Sequence, residues 1–290
     1  MIRSALILGA SGQLGTELQR TVPAGVTLTT LDLSDLDICD GAAVARTIAT
    51  LRPEAVFNCA AFTNVDGAES ARDEAMAVNG VAPGNIAAAC AECGARLLHV
   101  STDYVFDGRA STPYRPDALT APLNVYGESK LEGERRVSAA SRGAAIVRTA
   151  WLHSGVGGNF VKTAVRVLGS GNPMRVVDDQ FGTPTRARHL AKALWSLADK
   201  PAVTGTLHFT DAGTASWFDV AVAVMETLRS AKRLPDGATV EPIASSDRPA
   251  IARRPSYSVL DKHDSWRAIG FVPPHWREGV VASTRELLNA

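Results

Sequence analysis

Three glycines at intervals of three residues follow a short apolar run at the start of the chain, in the stretch Gly9-Ala10-Ser11-Gly12-Gln13-Leu14-Gly15. The run before them, Ile2–Leu8, reads as a buried strand, and Gln13–Thr21 reads as a helix. A glycine at the first position permits a tight turn from strand to helix. At the second, the missing Cβ lets the backbone come close to a diphosphate. At the third, helix and strand pack against each other without a side chain between them. The helix then offers unpaired N–H groups and the positive end of its dipole to the anion. Ordinary glycine turns share this spacing, so its weight depends on its surroundings.

Those surroundings repeat one pattern. Short apolar runs at Thr27–Leu31, Ala55–Cys59, Arg96–Val100 and Ala145–Arg148 alternate with helical stretches at Ala42–Leu51, Glu74–Glu92 and Ser129–Ala140. Continuous apolar strands separated by helices predict a parallel sheet covered on both faces, with right-handed crossovers. The fold class is therefore α/β, a Rossmann-type doubly wound sheet. After Trp151 the pattern loosens. Helices are predicted at Phe160–Leu168, Arg188–Ala198, Trp217–Leu228 and near Glu278–Leu288, with strands at Met174–Val177, Thr206–Phe209 and Thr239–Pro242. Residues 1–150 read as the dinucleotide-binding domain. Residues 151–290 read mainly as a smaller C-terminal substrate-binding lobe over the C-terminal edge of the sheet, with some helices returning to the first domain.

Composition excludes several classes. Hydrophobic residues make up 46% and charged residues 21%, which suits a packed core rather than disorder. Lys+Arg and Asp+Glu both number 30, and no basic run stands out, so a nucleic-acid partner is not expected. The apolar opening is too short for a signal peptide or a membrane span, so no membrane partner and a cytoplasmic location are expected. Cys90 and Cys93 form a C-x-x-C, but no further zinc ligands lie nearby. A redox pair is conceivable there; buried free thiols are the expected state.

Asp32 closes the second strand, where an acid can hold a ribose 2′-hydroxyl and so favours NADH; as a plain turn residue it needs no ligand. Asp37-Ile38-Cys39-Asp40 could border the adenine, although Asp40 also reads as a helix N-cap. The third strand runs into Cys59-Ala60-Ala61-Phe62-Thr63, small residues that suit the close passage of a cofactor or simple packing.

The fourth strand ends in Ser101-Thr102-Asp103-Tyr104, and Tyr126-Gly127-Glu128-Ser129-Lys130 opens a helix. Tyr-x-x-x-Lys places two side chains one turn apart on one face. An ammonium beside a phenol lowers the phenol's pKa from about 10 toward neutrality. Tyr126 could then give a proton to a carbonyl oxygen as hydride reaches its carbon, while Thr102 donates a second hydrogen bond to that oxygen. Alone the spacing is common on helix surfaces. After a dinucleotide loop and a Ser-Thr strand end it points to a reductase.

With these residues in place, the chain resembles the extended short-chain dehydrogenase/reductases and, within them, the dTDP-4-dehydrorhamnose reductase family. The resemblance rests on the glycine loop, Asn58–Asp66 (NCAAFTNVD), Ser101–Phe106 (STDYVF), Pro122–Lys130 (PLNVYGESK), Arg148–Trp151 (RTAW), Asn159–Thr163 (NFVKT), Asp179–Thr185 (DQFGTPT) and Ala252–Pro255 (ARRP). It implies NADPH- or NADH-dependent reduction of the C4 keto group of dTDP-4-dehydro-L-rhamnose to dTDP-L-rhamnose, a precursor of cell-wall polysaccharide. Another nucleotide-linked deoxysugar, or a non-catalytic NAD(P)-binding regulator, would use the same scaffold. By resemblance, Gly12, Gln13 and Leu14 meet the cofactor diphosphate in the cofactor loop that Gly9 and Gly15 bound, Asp32 the ribose, and Asp37 and Ile38 the adenine side. Ala61, Thr63 and Asn79 line the rest of the cofactor channel. Tyr126 is the proton donor and Lys130 its partner, also on the nicotinamide ribose. Thr102, Asp103 and Trp151 contact the deoxysugar, and Arg254 is the candidate for the substrate diphosphate, with a surface arginine as the alternative. Tyr104, Phe106 and Trp151 read equally well as core aromatics. Some relatives carry an acid after the GTPT-like turn as part of a metal set at a dimer interface. Here Arg186 and Arg188 occupy that region, although Glu17 and Glu286 remain. No metal is predicted, and the chain is expected to be a monomer or homodimer.

Overall fold

A computed structural model describes residues 1–289. Its central sheet has six parallel strands: β1 (Ser4–Leu8), β2 (Thr27–Leu31), β3 (Ala55–Asn58), β4 (Arg96–Thr102), β5 (Ala145–Thr149) and β6 (Gly205–His208), in the order β6-β5-β4-β3-β1-β2. Among the described residues, eight helices have eight residues or more: α1 (Gln13–Arg20), α2 (Gly41–Leu51), α3 (Ala82–Cys93), α4 (Val125–Ala140), α5 (Phe160–Gly169), α6 (Ala187–Ala198), α7 (Trp217–Ser230) and α8 (Trp276–Leu288).

The expected two-sided sheet is present, and its apolar residues alternate between the faces. Ala5, Ile7, Phe57, Leu98 and Val147 pack on one side with Leu14 and Leu18 of α1 and Leu190, Leu194 and Trp195 of α6. Leu6, Leu8, Val56, Leu97 and Ile146 pack on the other with Val44 and Ile48 of α2, Ile86 and Cys90 of α3, and Val137 of α4. The order of strands reverses between β1 and β3, so a crevice opens at their C-terminal ends, where open α/β sheets bind ligands. A separate apolar cluster joins α5, α7 and α8 through Val161, Leu168, Val224 and Val280.

The second half returns to the first more fully than its sequence suggests. The predicted strand at 206–209 is β6 and extends the main sheet beside β5. Helix α6 covers the sheet: Trp195 packs edge-on against Phe57 with ring centroids 4.6 Å apart and donates to the Leu18 carbonyl at 3.1 Å.

The single helix expected over Glu74–Glu92 is divided into Arg72–Met76, a wide π-type turn at Ala77–Val81, and α3. Pro83, with no N–H to donate, sits in the first turn of α3. The cysteines, expected as buried free thiols at the C-x-x-C, are free and differ in burial. Cys90 is buried, Cys59 and Cys93 partly so, and Cys39 is exposed because its short turn runs over the surface between Asp37 and Asp40. Among the described residues, no helix is long and apolar enough to cross a membrane, and no cluster of three or more His, Cys, Asp or Glu is placed to hold a metal.

Candidate active site

The glycine loop has the geometry its spacing predicts. Gly9 adopts φ +79°, and a Cβ there would lie 2.6 Å from the Ala60 nitrogen, so β1 can turn past the end of β3 only with glycine. A Cβ at Gly15 would overlap the Gly9 carbonyl and Ala10. Gly12 differs: a Cβ there would come no nearer to protein than 3.4 Å. Its open side lies before the N-terminus of α1, which has no side-chain cap. Free N–H groups beside a space that a side chain would fill suit a dinucleotide diphosphate.

Asp32 accepts from the backbone nitrogens of Ser11, at 2.6 Å, and Leu33, at 2.8 Å. Hydrogen bonding from Ser11 holds its carboxyl below the usual aspartate range. Leu14 and Ile38 point into the core, so only their backbones could meet a cofactor. Asp37 is exposed and accepts from the Cys39 nitrogen at 2.9 Å. Ala61 is half-buried and Thr63 exposed, just past β3. Asn79 is buried and spent on protein. It accepts from the Phe62 nitrogen at 2.9 Å and donates to the Phe62 carbonyl at 3.0 Å and to Ser129 Oγ at 3.1 Å. It thus ties the 61–63 loop to α4.

Helix α4 begins four residues before the predicted Ser129, capped by Asn124, which accepts from the Gly127 nitrogen at 2.8 Å. A Cβ at Gly127 would overlap the Tyr104 carbonyl. This close approach sets Tyr126 beside the residues that follow β4, with the Tyr104 and Tyr126 rings edge to face at 5.6 Å. Lys130 is buried and donates to the Val100 carbonyl at 2.7 Å. Burial pulls its pKa down to about 8, opposed by the nearby Glu134.

Tyr126 corrects one expectation. Burial pushes its phenol up to about 12, against a hydrogen bond with Thr102, rather than toward neutrality. The phenol is desolvated, while the Lys130 ammonium is drawn onto the Val100 carbonyl. A neutral phenol is nevertheless the form that has a proton to give.

Thr102 Oγ1 donates to Asp103 at 3.1 Å and accepts from the Tyr104 nitrogen at 3.2 Å. Asp103 is buried, and its Oδ2 has no protein partner. Burial pushes its carboxyl up to about 6, opposed by the neighbouring Ser258 and Thr102 hydroxyls.

Arg254 donates to Asp66 at 2.8 Å, Asp66 accepts from the Ala252 nitrogen at 3.0 Å, and the guanidinium lies beside the Tyr104 hydroxyl. Asn124 donates to the Arg253 carbonyl at 2.7 Å, so residues 252–258 form a strap across the ends of β3 and β4. The structure thus gathers Thr102, Asp103, Tyr126, Lys130 and Arg254. Trp151 lies in the second half at φ +49°, its indole stacked on Trp217 at 3.6 Å and pressed against Gly182. Arg186 pairs with Glu286, and Glu17 is buried with Arg20 at 2.7 Å. Asp66, Ser258 and Glu134 were not singled out in the sequence. Only Glu134 carried a usable signal, its place one turn after Lys130.

The model of the RmlD substrate binding domain family matches residues 3–289. The chain belongs to this family. It is 43% identical to the dTDP-4-dehydrorhamnose reductase of Mycobacterium tuberculosis, over 98% of this chain and 93% of that one. Its fold matches a dTDP-4-dehydrorhamnose reductase from Clostridium acetobutylicum with a TM-score of 0.92 at 37% identity, covering 99% and 100% of the two chains. A dTDP-4-dehydrorhamnose reductase from Bacillus anthracis, solved in complex with NADP, matches with a TM-score of 0.90 at 35% identity, again over 99% and 100%. Membership of the RmlD family bears out the resemblance read from the motifs, and the Rossmann-type fold with it.

Proposed function

We propose that this chain reduces dTDP-4-dehydro-L-rhamnose to dTDP-L-rhamnose at C4, with NADPH or NADH. The observation that carries the reading is the placement of Tyr126, half-buried beside Thr102, with buried Lys130 one turn along the same helix, in a chain of the RmlD family. The nicotinamide cofactor, when bound, supplies the hydride. The backbone N–H groups of Gln13 and Leu14 would hold its diphosphate against the open Cα of Gly12, whose own N–H donates to the Gly9 carbonyl at 3.3 Å, and Asp32 would hold the ribose. Thr102 and Tyr126 orient the keto oxygen by hydrogen bonds, and Tyr126 gives that oxygen its proton. The Lys130 ammonium steadies the phenolate left behind. Asp103 offers its unpartnered Oδ2 to a sugar hydroxyl, Trp151 flanks the sugar, and Arg254 meets the substrate diphosphate. The second lobe is the sugar-nucleotide cradle. Both proposed ligands are intracellular metabolites, which is why we place the reaction in the cytoplasm.

The test is oxidation of NADPH and NADH, followed by absorbance, with dTDP-4-dehydro-L-rhamnose and with other 4-keto nucleotide sugars, the product identified by NMR. The reading requires turnover with the first substrate and dTDP-L-rhamnose as product. Turnover only with another keto sugar, or none with either cofactor, would overturn it.

A further inference from the structure

Gln13 is the first residue of α1, yet its side chain leaves the glycine loop for the second half of the chain. Its Oε1 accepts from Ser154 Oγ at 3.1 Å and from Asn159 Nδ2 at 2.9 Å, and its Nε2 donates to the Gly158 carbonyl at 3.3 Å. Turning the carboxamide over would set its NH2 group against the Asn159 donor, so its orientation is fixed at both ends. Asn159 is itself fully committed. Its Oδ1 caps α5 by accepting from the Lys162 nitrogen at 2.9 Å, and its Nδ2 also donates to the Ser154 carbonyl at 3.0 Å. Ser154 is buried although hydroxyl-bearing. Gly157 adopts φ +68°, and a Cβ there would lie 2.8 Å from Gln13 Cγ, so the loop passes Gln13 at a distance only glycine allows.

The loop has little packing of its own. Gly155, Gly157 and Gly158 supply three of its six residues, and Gly157 and Gly158 are exposed. No large apolar side chain anchors its tip. The hydrogen bonds to Gln13 therefore tie residues 154–159 to α1, while α5, which follows, packs through Phe160 on Trp217. They do so at the helix end whose N–H groups face the space before Gly12.

We propose that Gln13 is a positioning residue that couples the two halves of the site, so that a dinucleotide seated on the glycine loop preorganises loop 154–159 and α5 for the sugar nucleotide. This rests on the functional reading above, which puts the cofactor on the loop and the nucleotide sugar in the second lobe. Coupling requires an element that both ligands bias, and the loop clamped by Gln13 is such an element. By linkage the effect is reciprocal: the nucleotide sugar tightens the cofactor by the same factor.

The test is calorimetric titration of dTDP, a non-reacting probe of the sugar-nucleotide site, into the full chain with and without saturating NADP+. It is done for the wild type, Gln13→Ala, Asn159→Asp and the double variant. Asn159→Asp keeps the acceptor that caps α5 and replaces the donor facing Gln13. NADP+ should tighten dTDP binding to the wild type by a factor on the order of 10, within the usual range of allosteric coupling. Each single variant should bring that factor close to one, and the double should lower it no further. A merely structural staple would change stability and leave the ratio of the two affinities unmoved. Independent binding of dTDP and NADP+ by the wild type, or a ratio preserved in both single variants, would overturn the coupling while leaving the reductase reading intact. Failure of the wild type to bind either ligand would remove both.

Discussion

Glu134 and Arg148 form a two-pronged ion pair, with contacts of 2.8 and 2.7 Å, buried on both sides. Ser101 donates to the same carboxylate at 2.5 Å, and Arg148 donates to the Pro116 carbonyl at 3.1 Å while lying over the Phe106 ring. Ser101 precedes Thr102, and Glu134 stands one turn beyond Lys130. The pair therefore bolts α4 to β4 and β5 directly behind the proposed catalytic set. Removing one partner strands a buried charge, which costs about 3–5 kcal/mol. Arg148→Met should lower stability by that amount, and Glu134→Gln with Arg148→Met should recover more than half of it. Urea denaturation of both variants reads the difference; equal losses would mean that the charges do not depend on one another.

Tyr126→Phe should fold, keep cofactor affinity within a few-fold, and lose turnover by a factor on the order of 100 or more. The same arrangement sets a pH dependence. Lys130, with its pKa near 8, is an ammonium below that pH and neutral above it. Tyr126, near 12, keeps its proton throughout. Hence kcat/KM should fall as pH rises through about 8, and Lys130→Met should abolish that limb along with most of the rate. A wild-type profile flat to pH 10 would take the Lys130 charge out of the reaction.

Asp103 gives a second pH effect, of opposite origin. Its folded-state carboxyl titrates near 6, above its ordinary 3.8, so burial penalises the ionised form. The penalty is absent below pH 3.8, grows up to 6, and is fully present above 6. Asp103→Asn should therefore stabilise the fold at pH 8, by up to roughly 3 kcal/mol, with the gain vanishing near pH 4. If Oδ2 meets the sugar, the same variant should raise KM. Thermal unfolding at the two pH values is the measurement; the same shift at both would mean that ionisation is not the cause.

What could be read in the sequence was what local chemistry determines. The glycine loop is legible because Gly9 and Gly15 answer close backbone approaches and Gly12 leaves its side open. The alternation of strands and helices is legible because both faces of the sheet are buried. The Tyr126–Lys130 spacing follows from helix geometry alone. The electrostatics of that pair did not follow, because the phenol's desolvation comes from packing across α4 and β4. Nor did the partners of distant residues. Gln13 meets Asn159 across 146 positions, and Arg254 meets Asp66 across 188. No period or motif encodes such contacts. The break at Ala77–Val81 escaped for a similar reason: Asn79 bonds to a loop 17 residues earlier, against the apparent helical pattern.

Arg254 is the residue on which the proposed substrate diphosphate depends. Its pair with Asp66 leaves a quarter of the Arg254 side chain and two fifths of the Asp66 side chain exposed, so the pair itself is worth only about 0–1 kcal/mol. Asp66 occupies one edge of the guanidinium and holds the Ala252 nitrogen, while Pro255 packs against Gly108, where a Cβ would lie 2.6 Å from its ring. The strap is thus seated at both ends, and Arg254 is oriented before substrate arrives. A charge-assisted contact to phosphate is worth about 1.5–3 kcal/mol. Arg254→Ala should accordingly raise KM for the dTDP-sugar by roughly 10- to 150-fold and leave NADPH affinity unchanged. Asp66→Asn, which keeps an acceptor for Ala252 but removes the charge, should move KM by no more than a few-fold. Steady-state kinetics in each substrate separate these effects. An unchanged KM in Arg254→Ala, or an equal loss of NADPH affinity, would show that the substrate diphosphate is held elsewhere, with Arg253 and Lys162 the next cations to replace.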